Sequence, residues 1–135
     1  MNRLTFMSGR YLLDTNIIIA LLADEKQIQD KLREVEEVFV PSIVIGELYF
    51  GAYKSVNVEA NMSRIDELAA HAIVLDCGAE TARHYSEAKN ALRLKGRPIP
   101  ENDIWIAAIA VQHGLTLVSR DTHFEELEYL GIEVW

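Results

Sequence analysis

Cysteine is nearly absent. Cys77 stands alone, so no internal disulfide can form. One thiol fits a reducing cytoplasm, and the ordinary role of such a residue is that of a small buried apolar group. Long apolar runs are missing as well. The longest, Ile104 to Val111, has eight residues, against about 20 for a membrane span. The opening Met1-Asn2-Arg3-Leu4-Thr5-Phe6-Met7-Ser8-Gly9 has no apolar core of signal-peptide length. No membrane partner is expected. Positive charge is scarce: 13 Lys and Arg face 21 Asp and Glu, for a formal net charge of −8. That argues against a protein that coats nucleic acid with basic surface. It leaves room for a nuclease whose positive potential comes from bound cations.

Several chemistries lack their signatures. No G-x-G-x-x-G fingerprint, phosphate-binding P-loop or G-x-S-x-G elbow occurs. The four histidines, His71, His84, His113 and His123, show no zinc-ligand spacing with one another or with Cys77, so surface or capping roles are expected of them. Ser119 has the chemistry of a nucleophile, but no motif places a base beside it.

What the sequence does carry is an alternation of short apolar runs with longer amphipathic stretches, over a length suited to one domain, residues 1–135. Recognisable structure begins near Arg10. Residues 1–9 are therefore expected to form a peripheral or poorly ordered extension, and Met7 is a second candidate start. Strands are expected at Arg10–Asp14, Val38–Val40, Ile73–Leu75, Leu115–Val118 and Ile132–Trp135. Helices are expected at Asn16–Ala23, capped by Thr15 or Asn16, then at Glu25–Val35 and from Ser42 to about Lys54. Further helices are expected at Val58–His71, Ala79–Leu94 and Glu101–His113, with a short one at Phe124–Leu127. Gly96 and Gly114 stand where helices stop. Strands alternating with crossover helices predict an α/β fold with a mainly parallel sheet between helical layers. In such sheets ligands gather at the carboxyl ends of the strands, which predicts a shared rim for Asp14, Ser119 and Asp121.

Four acids mark that rim. Asp14 closes Tyr11-Leu12-Leu13, Glu47 interrupts Ile43-Val44-Ile45-Gly46, Asp103 opens the apolar helix, and Asp121 follows Leu117-Val118-Ser119-Arg120. Carboxylates beside apolar runs are costly unless compensated. Gathered together they raise one another's pKa, and a divalent cation relieves that penalty. Carboxylate oxygens suit Mg2+ or Mn2+, and such a site suits hydrolysis of a phosphodiester by activated water. Each acid also has a plainer use as a turn residue, helix cap or first-turn acid. Five of the 13 basic residues, Arg83, Lys89, Arg93, Lys95 and Arg97, fall in one stretch that holds a single acid, Glu87. Arg93, Lys95 and Arg97 are accordingly candidates for RNA phosphate contacts.

The segments Leu13-Asp14-Thr15-Asn16, Ser42-Ile43-Val44-Ile45-Gly46-Glu47-Leu48, Asn102-Asp103-Ile104-Trp105-Ile106-Ala107-Ala108 and Leu117-Val118-Ser119-Arg120-Asp121-Thr122-His123-Phe124 resemble those of PIN domains. Within that family they resemble the ribonuclease toxins of VapBC-type toxin–antitoxin pairs. The resemblance implies an α/β/α sandwich and a cytoplasmic Mg2+- or Mn2+-dependent endoribonuclease. It implies that Asp14, Glu47, Asp103 and Asp121 form a catalytic metal site, with Asn16 and Ser119 in support. Ser119 stands where many relatives carry Thr. A cognate antitoxin filling a groove near the site, and a homodimer, are implied as partners. Ile45, Tyr49, Phe50 and Tyr53 offer apolar material for such contacts. Two other readings compete. One is a PIN-like binding module without activity, although all four acids are present. The other is a phosphatase of the haloacid dehalogenase type, which needs a second Asp where this chain has Asn16 and a lysine that no later strand supplies.

Overall fold

The computed structural model describes residues 9–135. The expectations for the segment before Gly9, and for Met7 as a start, lie outside the described residues. Five strands form one sheet: β1 (Tyr11–Leu13), β2 (Val38–Pro41), β3 (Ile73–Leu75), β4 (Thr116–Val118) and β5 (Ile132–Glu133). Their order is β3-β2-β1-β4-β5 and every pairing is parallel. Parallel strands need crossover connections. These are α1 (Thr15–Leu22) and α2 (Lys26–Arg33), α3 (Ser42–Tyr53) and α4 (Val58–His71), and α5 (Ala79–Lys95) and α6 (Glu101–His113). A short 3-10 helix, Thr122–Glu126, lies between β4 and β5.

The central strands are short apolar runs because helices cover the sheet on both sides. Leu12, Leu13, Val40, Leu117 and Val118 are buried, as are Ile17 and Ile18 of α1, Ile106 and Ile109 of α6, and Phe124. Burial of a large aliphatic side chain stabilises the fold by about 1.5–3 kcal/mol, so these positions hold β1 and β4 together. The chain runs outward from β1 through β2 to β3, then returns to β1's other edge with β4. The crevice between β1 and β4, beyond their carboxyl ends, is thus the topological switch point where α/β sheets bind ligands.

Local structure departs from the sequence reading in a few places. Asp14, rather than Thr15 or Asn16, caps α1: its side chain accepts the Thr15 N–H. Ser42 begins α3 without a side-chain capping bond, and the cap position is Pro41, already extended. Gly96 and Gly114 adopt left-handed φ of 69° and 63° and end α5 and α6. Asp24, the non-glycine residue with positive φ (58°) among those described, makes the turn into α2. Cys77 is exposed, not buried. On α3, Ile45 is buried while Phe50 and Tyr53 are exposed.

Candidate metal centre

Asp14 follows β1, and its carboxylate is almost fully buried, with 5% of the residue exposed. Its backbone N–H extends the β1–β4 ladder to the Val118 carbonyl at 3.0 Å. Oδ1 accepts the Thr15 N–H at 2.8 Å and Oδ2 accepts the Ser119 hydroxyl at 2.7 Å. Ser119 is 1% exposed, and its Oγ is fully used: it also accepts from Asn16 Nδ2 at 3.4 Å and from the Asp121 N–H at 2.9 Å. A hydroxyl with one donor and two acceptor sites has nothing left for nucleophilic work. Ser119 instead joins Asp14 to Asp121. Asn16 completes the joint, since its Oδ1 accepts the Arg120 N–H at 3.2 Å.

Asp103 lies in the first turn of α6, where the helix dipole favours an acid. Ile104 and Ile106 bury the helix beside it, which directs Asp103 to the rim. Asp121 precedes the 3-10 helix, and its Oδ1 accepts the His123 N–H at 2.9 Å. His123 Nδ1 stands 3.1 Å from Asp103 Oδ2 and 3.0 Å from Asp121 Oδ1. Asp103, Asp121 and His123 each present a ligand atom, all within 4.8 Å of one another. Glu47 reaches the cluster indirectly: Thr15 Oγ1 donates to its Oε1 at 2.9 Å.

The electrostatics show how closely the acids are coupled. Burial raises the Asp14 pKa above the usual carboxylate range; the bonds from Ser119 and Thr15 pull it back, and the Asp121 charge pushes it up. Burial likewise raises Asp103; the His123 bond lowers it, and the charges of Asp14 and Asp121 raise it. His123 is raised chiefly by its bond to Asp103, then by the two aspartates' charges. Three carboxylates of residues far apart in sequence thus share one field. Hard oxygen donors with mutual repulsion and one neighbouring imidazole fit a divalent cation.

The remaining sequence candidates lie apart from this cluster. Lys95 Nζ bonds the Glu126 carbonyl at 2.6 Å and lies near the carboxylates of Glu126 and Glu128 at 3.6 and 3.7 Å. Arg97 faces Glu126 at 3.9 Å, and Arg93 bonds neutral Asn90 at 2.7 and 3.2 Å. Two of the five basic residues, Lys95 and Arg97, are therefore matched by acids from later in the chain, which local composition does not reveal. Glu101 bonds Lys89 at 2.7 Å and the Tyr85 hydroxyl at 2.6 Å, so it belongs to the α5–α6 contact. The sequence reading missed Thr15 and His123 as site residues. The position of His123, two residues after Asp121, was the available signal; its contact with Asp103 depends on the fold.

The PIN-domain profile matches residues 11–129. The chain belongs to the PIN-domain family. It is 36% identical over 129 residues to the ribonuclease VapC2 of Haemophilus influenzae, covering 93% of this chain and 98% of that one. It is 33% identical over 135 residues to the tRNA(fMet)-specific endonuclease VapC of Shigella flexneri, covering 93% and 98%. The crystal structure of VapBC2 from Rickettsia felis, bound to a DNA fragment from its promoter, superposes with a TM-score of 0.86 at 30% identity, covering 93% of this PIN domain and 98% of that chain. Among the described residues no helix is long and apolar enough to cross a membrane.

Proposed function

We propose that this PIN domain is a divalent-metal-dependent endoribonuclease, the toxin of a toxin–antitoxin pair, and that Mg2+ or Mn2+ serves it. The observation that carries the reading is the joining of Asp14, Asp103 and Asp121 at the β1–β4 switch point through Ser119 and His123. Relatives named as ribonucleases and as a tRNA endonuclease support the substrate class. Asp14, Asp103 and Asp121 would hold the ion, with Glu47 at the edge and Asn16 and Ser119 in support. A bound divalent ion supplies activated water near neutral pH and stabilises charge developing on a phosphodiester. The chain's own residues supply positioning. Ser119 fixes the spacing of Asp14 and Asp121, and Thr15 fixes Glu47 against Asp14. Glu47, half-buried and held by Thr15, is an acid that would accept a proton from an approaching water.

The partner reading rests on a groove beside Glu47. A cavity of about 310 Å³ is lined by Ile19, Leu22, Leu48, Ala52 and Ile65, with Glu47 and Arg64 among its polar members. Ile19 in that lining is exposed, as are Phe50 and Tyr53 of α3 and Val56 just after it. A basic antitoxin tail would meet this acidic protein favourably, and a homodimer is part of the same reading. Arg93 is the basic candidate whose charge is freest for RNA, since it bonds the neutral Asn90.

The phosphatase reading finds no support, because Asn16 is committed to Ser119 and Arg120. An inactive binding module is separated from the enzyme by one experiment. RNA is incubated with the purified chain, freed of any partner by denaturation and refolding, with Mg2+, with Mn2+ and with chelator, beside Asp103→Asn. Metal-dependent cleavage lost in the variant is expected. Folded protein that cleaves no RNA with either metal overturns the enzyme reading.

A further inference from the structure

The spacing of His123 from its neighbours has a meaning beyond a hydrogen bond. Its Nδ1 is 3.1 Å from Asp103 Oδ2 and 3.0 Å from Asp121 Oδ1. Adjacent ligands on an octahedral ion with bonds of ~2.1 Å are ~3.0 Å apart. The nitrogen therefore already stands at the separation of a neighbouring donor from each carboxylate oxygen, and all three atoms lie within 4.8 Å of one another. The ring is held there by its surroundings. Its backbone N–H is bonded to Asp121 Oδ1 at 2.9 Å, and the next residue, Phe124, is fully buried in the core. Half of the His123 side chain remains exposed, at 49%, so a proton on Nε2 can be met by water. Without an ion Nδ1–H donates to the carboxylates; an ion taking that proton's place would meet the Nδ1 lone pair of the Nε2–H tautomer.

We propose that His123 is a metal ligand, forming a three-donor face with Asp103 and Asp121 and biasing the site toward first-row transition ions, Mn2+ among them, over Mg2+. The proposal rests on the metal-nuclease reading and assigns it a selectivity. Magnesium keeps oxygen ligands and waters, whereas imidazole suits the softer first-row ions. An all-carboxylate site has no reason to discriminate in this way. The nitrogen donor is what the four-acid pattern in the sequence does not contain.

The test uses the metal-stripped full chain and does not depend on cleavage. Mn2+ and Mg2+ are titrated separately by calorimetry into wild type, His123→Ala and Asp103→Asn, with thermal melts to verify folding. Pulsed electron paramagnetic resonance on the Mn2+-loaded wild type reads nitrogen coupling directly and needs no variant. The expected result is nitrogen modulation in the wild type, absent in His123→Ala. Mn2+ affinity should fall about tenfold in that variant, with Mg2+ affinity changed less than about threefold. Mn2+ that binds, and that Asp103→Asn releases, but that shows no nitrogen coupling in the wild type would overturn the ligand assignment and leave the nuclease reading standing. Folded wild type that binds no Mn2+ would overturn both.

Discussion

Thr15 Oγ1 donates to Glu47 Oε1 at 2.9 Å while the Thr15 N–H donates to Asp14 Oδ1 at 2.8 Å. One residue thus ties the acid of α3 to the acid that ends β1. Thr15→Val keeps the shape and the backbone donor but removes the hydroxyl. Hydrogen bonds to charged groups are worth about 1.5–3 kcal/mol, so RNA cleavage should fall roughly tenfold. Thr15→Ser should restore most of it. Steady-state cleavage rates of the two variants check this, and equal losses in both would show that the hydroxyl is not what matters.

Asp103→Asn should separate stability from activity. The wild-type carboxylate is raised by burial and by the charges of Asp14 and Asp121, so it strains the metal-free fold. The amide keeps an oxygen for His123 and removes the charge. In chelator the variant should melt at or above the wild-type temperature, while metal-dependent cleavage falls at least about a hundredfold. Melting curves and cleavage assays on the same preparation read both.

The pH dependence of the metal-free protein has a definite sign. Asp14, Asp103 and His123 all have raised pKa values in the fold, so the folded state binds more protons than the unfolded chain. Stability then falls as pH rises. For the aspartates the loss begins at the ordinary value of about 3.9 and ends at the raised one; for His123 it begins at about 6.5. In chelator the melting temperature should fall from pH 5.5 to pH 8. Saturating Mn2+ should flatten or reverse that slope, because the ion binds the deprotonated site. A metal-free melting temperature that rises over this range would contradict the arrangement.

Arg120 braces the segment between Ser119 and Asp121 against two partners, Glu25 and Trp135. Its guanidinium bonds both oxygens of Glu25 at 3.2 and 2.5 Å, and its Nε donates to the Trp135 main-chain oxygen at 3.0 Å. An exposed ion pair contributes little by itself, so the brace should act on alignment. Arg120→Ala should lower cleavage several-fold and weaken metal binding, with a small change in melting temperature. Arg120→Lys cannot make the two-point contact and should rescue only partly. A full rescue by lysine would reduce the brace to simple charge.

The parallel sheet was legible from Leu12-Leu13, Val38-Phe39-Val40 and Leu117-Val118, because apolar runs between amphipathic helices leave few topologies. The rim was legible because Asp14 and Ser119 each follow such a run. What the sequence hid depends on pairs distant in the chain. His123 meets Asp103, Glu25 meets Arg120, and Glu126 meets Lys95 and Arg97; no local pattern encodes these. Ends of elements were also hidden, because Asp14 serves at once as helix cap and as a member of the acidic cluster. Exposure of Phe50 and Tyr53 fits the contact surface expected on α3, whereas Ile45, offered with them, is buried because its helix is apolar on several faces.

The strand order carries a consequence for synthesis on the ribosome. β1 lies in the middle of the sheet, but one of its two neighbours, β4, is made more than a hundred residues later. Ser119 and Asp121 follow β4 directly, so Asp14 waits for these partners until β4 has left the exit tunnel. A truncated or still-tethered product that stops before Thr116 carries Asp14, Glu47 and Asp103 without the strand that aligns them. The hazard of an RNA-cutting activity beside the translation machinery is thereby deferred until β4 has been made and has paired with β1, by connectivity alone.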